Sequence, residues 1–219
     1  TPVYSTRSGP DPEAVKAAAV TLRTAKRPVI YAGQGVHYAE AWPQLKELVE
    51  LLGAPTTTSL EGKSAFPEDH PLSLGSGGRS LPRTVHEFLQ NSDVIFGIGC
   101  SFTSTNFGIT MPAGKTVIHA TLDPIDLNKN VVSQHALVGD AALTLEALIA
   151  ELKAQGQTPP DTSVVEKEIA SMKAAWLAEW MPKLTCNEAP LNPYRVLWDL
   201  ANTVDRPNTI ITHDAGSPR

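Results

Sequence analysis

The chain has 219 residues, 42% of them hydrophobic, and a formal net charge of -5, enough for one generous domain or for one domain plus an appendage. A mildly acidic chain has no general attraction for nucleic acid or anionic membranes, which argues against a polyanion-binding role. No apolar stretch reaches the ~18 residues that would span a bilayer, and the two cysteines, Cys100 and Cys186, lack metal-type spacing and read as reduced thiols of a cytoplasmic protein.

Apolar residues recur at helical spacing across residues 11–26 (Val15, Ala18, Ala19, Leu22), and Pro12 suits a first helical turn. Residues 28–32 (PVIYA) read as a strand, ending at Gly33-Gln34-Gly35, where small residues permit a sharp turn. A second helix is predicted over residues 39–52, stopped by Gly53. Thr56-Thr57-Thr58 makes a short strand, and a long irregular loop through Gly62, Pro67 and Pro71 leads to the glycine-rich LGSGGRSLP. Pro82 opens a helix that runs to Asn91. Residues 93–98 form the next strand, ending in Gly97-Ile98-Gly99, followed by strands at 115–120 and 136–138 and a helix over 141–153. Strands alternating with helices mean βαβ crossovers: an α/β, Rossmann-like parallel sheet with helices on both faces.

After residue 153 the texture changes. AQGQTPPDT has the composition of a linker. A long helix over residues 164–181 carries Trp176 and Trp180 four apart, a stripe suited to docking against another domain. PKLTCNEAPLN is a second linker, Asn192 caps a helix beginning at Pro193, and the β-branched run at residues 209–212 reads as a strand before His213-Asp214-Ala215-Gly216.

Ligands of an open parallel sheet sit outside the carboxyl ends of its strands. Two Gly-rich turns and an acidic residue at those ends resemble a nucleotide crevice, in which backbone N–H groups face phosphates and a carboxylate takes ribose or adenine edges. The Gly-x-Gly-x-x-Gly fingerprint fails, because Tyr38 stands where the third glycine belongs, and strand-end glycines serve close packing equally well. Gly75-Ser76-Gly77-Gly78-Arg79 has the composition of an anion cradle or of an ordinary loop. The six histidines show no ligand spacing, and neither a nucleophile elbow nor a Walker loop occurs, so the residues supply no catalytic constellation and no metal site.

In order, AKRPVIYAGQGV, LVELLGAPTTTSLEGKSAFPEDHPLSLG, NSDVIFGIGCSF, LDPIDLNKNV and LVGDA, over about residues 10–152, closely resemble the central domain of thiamine diphosphate (ThDP)-dependent enzymes of the acetohydroxyacid synthase group. NPYRVLWDLAN and NTIITHDAG look like the opening of the diphosphate-binding domain of the same enzymes. The resemblance implies residues 1–153 as a central Rossmann-like domain, 154–191 as linker and docking helix, and 192–219 as the first helix and strand of a truncated diphosphate-binding domain. It also implies that the chain is a piece of a longer ThDP- and Mg²⁺-dependent 2-oxo acid decarboxylase or carboligase. Its partners would be the missing pyrimidine-binding and diphosphate-binding domains, in a homodimer or homotetramer that engages neither nucleic acid nor membrane. The glutamate that activates the cofactor and the Mg²⁺-binding motif would lie in those missing domains, leaving this segment a non-catalytic scaffold, inactive alone. By position, Gly216 and Ser217 inherit the turn that approaches the cofactor diphosphate.

Enzymes of this group also carry FAD in the central domain, without a redox role. Position by position, Gly33, Gly35, Ser59, Leu60, Asp123 and Asp140 match that site. The group's Gly-x-His-Gly flavin loop falls at Gly78-Arg79-Ser80-Leu81, so its His and second Gly are lost; two arginines fall at Ser101 and Thr105, and the first acid of Asp-x-Asp becomes Thr121. Losing cations removes charge-assisted bonds to a diphosphate, with Arg79 the available substitute. The expectation is an empty, structural central domain that requires no cofactor itself. The alternative from another class is a stand-alone Rossmann-like module binding FAD, NAD or ADP.

Overall fold

The computed structural model of the chain describes residues 7–212, which divide between Ala170 and Ser171 into two compact units. Six strands build the first: β1 (Pro28–Ala32), β2 (Thr56–Thr58), β3 (Ser73–Ser76), β4 (Val94–Ile98), β5 (Thr116–Thr121) and β6 (His135–Val138). All neighbours are parallel, in the order β3-β2-β1-β4-β5-β6. The period-2 alternation of a strand sorts the residues between two faces. Ile30, Phe96 and Ile118 align across β1, β4 and β5, as do Ala32, Ile98 and Ala120, and all six join the main core. Val29, Tyr31, Ile95, Val117 and His119 alternate with them and are buried on the opposite face.

The main core is completed by α1 (Pro12–Thr24), α3 (Trp42–Leu52) and α5 (Ala141–Ala154), with α5 packed against both others. In α1, Asp11 Oδ1 accepts the Ala14 N–H at 2.9 Å, Pro12 occupies the first turn, and the predicted stripe Val15, Ala18, Ala19 and Leu22 is the buried face. The helix expected over residues 39–52 is α3, which begins three residues later at Trp42; a single turn not expected from sequence, α2 (Gly35–Tyr38), precedes it. Glu40, at φ 51°, leaves the helical region and separates them. Gly53 closes α3 in the left-handed region, as expected. β3 was not expected, because it falls on Ser73 and the start of the glycine-rich LGSGGRSLP. It is a four-residue edge strand with one large apolar side chain, Leu74, and its register against β2 shifts near Gly75. α4 (Arg83–Asn91) packs beside it.

A long helix, α6 (Ser163–Leu184), crosses the division and extends past the residue 181 expected from sequence, through Pro182. In the second unit Trp176 and Trp180 stack with centroids 5.7 Å apart, and Trp180 meets Tyr194 edge-on at 5.1 Å. Tyr194 belongs to α7 (Pro193–Thr203), whose cap is Asn192, as predicted, accepting the Tyr194 N–H at 3.0 Å. Arg195 ties α7 to the preceding loop through the Thr185 and Cys186 carbonyls. The strand expected at residues 209–212 does not form: a 3₁₀ turn, Arg206–Asn208, precedes it, and no described residue pairs with it. A β-branched run cannot make a strand without a neighbour to bond its N–H and C=O groups.

Candidate functional site: the switch-point crevice

Strand order reverses between β1 and β4, so the loops leaving them diverge and open a crevice at the carboxyl ends of the strands. It encloses about 480 Å³. Of the residues singled out in sequence, Gly33, Gly35, Ser59, Asp123 and Asp140 line it together. Leu60, Gly78 and Arg79 do not. Gly78 and Arg79 line a neighbouring groove that shares Thr105, Gly108, Ile109 and Met111 with the crevice, and a β-carbon on Gly78 would meet Leu60 Cδ1 at 2.6 Å. Gly216 and Ser217 lie outside the described residues.

The glycines of the first turn pack against backbone. A β-carbon on Gly35 would stand 2.7 Å from Gly99 Cα, and one on Gly99 would stand 2.7 Å from the Val36 nitrogen. Their amides are already engaged. Gly33 donates to the Ile98 carbonyl at 2.9 Å, Gly35 to Gly99 at 2.8 Å, and Val36 and His37 to Gly33 and Gln34. Ser59 donates its N–H to Ala32 and Gly99 its own to Ala120, both at 2.9 Å. The Ser59 hydroxyl accepts the Gly62 N–H at 2.9 Å.

Four carboxylates face the crevice: Glu61, Asp123, Asp126 and Asp140. Two of them cap helical turns. Asp123 accepts the Ile125 N–H at 2.9 Å, and Asp140 accepts those of Ala142 and Leu143 at 3.0 and 3.1 Å. Asp140 also receives Arg7 at 2.6 Å, and that guanidinium holds its carboxyl below the usual carboxylate range.

Beneath the crevice lies a cluster that sequence reading missed. Phe102 sits at φ 49°, unusual for a bulky residue. Its ring covers Gly97, where a β-carbon would meet it at 2.3 Å, and it stacks on Tyr31 at 5.7 Å and meets His119 edge-on at 4.8 Å. The available signal was Gly97 inside an apolar strand, a mark of close approach. His119 Nε2 lies 2.7 Å from the Cys100 carbonyl and therefore carries the proton that it donates; its buried Nδ1 has no partner among the described residues. Cys100 borders the crevice, and its sulfur sits 2.9 Å from the β-carbon position of Gly97. Burial pushes the Cys100 thiol up to about 12, raises the Tyr31 phenol, and lowers the His119 imidazolium. All three are thus held neutral around neutral pH, which makes them a packed floor rather than an acid–base pair. Among the described residues no three His, Cys, Asp or Glu side chains converge as a metal site.

Residues 15–148 match the family model described as "Thiamine pyrophosphate enzyme, central domain". Over 223 residues the chain is 34% identical to a probable acetolactate synthase large subunit of Methanocaldococcus jannaschii, covering 98% of this chain and 36% of that protein. Over 208 residues it is 32% identical to the acetolactate synthase isozyme 3 large subunit of Escherichia coli K12, covering 92% and 35%. The chain thus spans about a third of the length of these relatives. Among solved structures, benzoylformate decarboxylase from Polynucleobacter necessarius superposes with a TM-score of 0.63 at 28% identity, covering 74% of this chain and 30% of that one.

Proposed function

The chain belongs to the thiamine pyrophosphate enzymes through their central domain, and from that premise we propose that the whole protein is a ThDP- and Mg²⁺-dependent enzyme acting on 2-oxo acids. In this reading it releases CO₂ from one 2-oxo acid and joins the remaining acyl unit to a second carbonyl, as a carboligase of the acetolactate synthase type. The observation that carries it is the 34% identity running over 98% of the chain, through the central domain and on past α7. ThDP, when bound, supplies the carbanion-stabilising chemistry. The described residues act as scaffold: the parallel sheet fixes the spacing of whatever packs on it, and the neutral floor of Tyr31, Cys100 and His119 moves no proton.

The domain plan belongs to the same proposal: residues 1–153 as the central layer, 154–191 as linker and docking helix, and 192–219 opening a diphosphate-binding domain, with Gly216 and Ser217 at the turn toward the cofactor. The pyrimidine-binding domain and the rest of the diphosphate-binding domain complete a homodimer or homotetramer in the cytoplasm. No described helix is long and apolar enough to cross a membrane. A stand-alone nucleotide-binding module is disfavoured by the family match and by the acid-lined crevice.

The test is to express the complete gene product and assay pyruvate, benzoylformate and oxalyl-CoA with and without ThDP and Mg²⁺, beside the 219-residue chain alone. ThDP-dependent CO₂ release is expected from the former and none from the latter. A complete product that turns over no 2-oxo acid with ThDP present removes the reading.

A further inference from the structure

We infer that the switch-point crevice rejects diphosphate-bearing nucleotides, so that this central domain holds neither FAD nor ADP. Three independent features of the site converge on that.

Charge is the first. Among the described residues the lining contains Glu61, Asp123, Asp126 and Asp140 and no Lys, Arg or His. Arg7 is engaged by Asp140, Lys63 is paired with Glu68, and Arg79 stands in the neighbouring groove. A diphosphate would meet like charges without the guanidinium or ammonium partners that make phosphate contacts strong.

Donors are the second. A phosphate in a parallel sheet is normally held by free amides at a helix N-terminus. Here α2 is a single turn whose amides, from Gly35 to Tyr38, all donate to carbonyls of the chain itself. The longer helix opening onto the crevice, α5, has its N-terminus closed by the Asp140 carboxylate, which is itself paired with Arg7 and takes two of the first amides that a phosphate would need.

Glycine packing is the third. The position a β-carbon would take on Gly33, Gly35 or Gly99 is filled by the backbone of its neighbours, so these turn glycines serve the packing of β1 against β4 rather than the close approach of a phosphate. Phe102 occupies the flat surface over Gly97.

The experiment reads binding rather than turnover. The 219-residue chain, first shown to unfold cooperatively, is titrated calorimetrically with FAD, ADP and adenosine at up to ~1 mM, where even weak sites begin to fill. The complete gene product is acid-extracted and the released flavin measured by fluorescence. Saturable binding of neither FAD nor ADP, with extracted flavin far below one per chain, is expected; adenosine binding without ADP binding would also support exclusion by charge. Stoichiometric uptake of FAD or ADP by the chain, or one flavin per chain in the complete protein, overturns the inference. The outcomes separate from those of the proposed function: an active ThDP enzyme that carries FAD sinks only this inference, and an inactive, flavin-free protein sinks only that function.

Discussion

A β-carbon added to Gly33 would lie 2.4 Å from the Gly99 carbonyl oxygen and 2.7 Å from Cys100 Cα, both fixed by the β1–β4 pairing. Gly33→Ala should therefore force the two central strands apart and cost about 1–3 kcal/mol, read as a lower midpoint in urea unfolding. An unchanged midpoint would mean that the turn yields freely. His119 provides a pH test. Burial holds its imidazolium below the ordinary value of 6.5, against smaller opposing pulls from the Cys100 carbonyl and Asp126. The unfolded chain then binds a proton at a pH where the folded one does not. The ring's contribution to stability is complete above about pH 7, and it declines as the pH falls from the unfolded value toward the folded one. Wild type should lose stability as the pH falls below the ordinary histidine value of 6.5, and His119→Gln should show a shallower slope there. Matching slopes would contradict the buried, neutral ring. Asp93 and Asp140, whose pKa values are lowered, lose their contributions only at more acid pH, so the two windows separate. At this scale the glycine turns were legible as punctuation. Their partners were not, because Gly33 meets Gly99 and Gly97 meets Phe102 only after the sheet has formed.

Helix α5 shows how one side chain governs an element. Asp140 satisfies two amides that the helix geometry leaves without partners, and it is anchored by Arg7. Asp140→Ala should cost about 1 kcal/mol or somewhat more, with a thermal midpoint lower by a few degrees, whereas Asp140→Asn keeps the acceptor and should lose much less. Equal losses would show that the charge, not the cap, matters. Elements with strong periodicity or clean punctuation were readable in advance: α1 from its apolar stripe and Pro12, β1 and β4 from continuous apolar runs, α7 from Asn192. Those that depend on distant partners were not. β3 exists because β2 offers it a ladder; the run at residues 209–212, with Ile210 93% exposed, has none among the described residues and stays unpaired.

For the molecule as a whole, the alternation of strands and helices was enough to foresee the parallel α/β layer, and the strand order places the crevice. The chemical character of that crevice is a different matter. Glu61, Asp123, Asp126 and Asp140 come from loops after β2, β5 and β6, and their shared surface is a product of topology that no local pattern encodes. The second unit presents Val196, Leu197 and Leu200 of α7 to solvent. The central pairing carries a further consequence. Arg27 and Asp93, joined at the base of β1 and β4, stand 66 residues apart. At a synthesis rate of ~5–20 residues per second, the first central strand leaves the ribosome several seconds ahead of the second. In that interval the β1 edge that will receive β4 has no partner, and its apolar side chains stay open to association until β4 emerges.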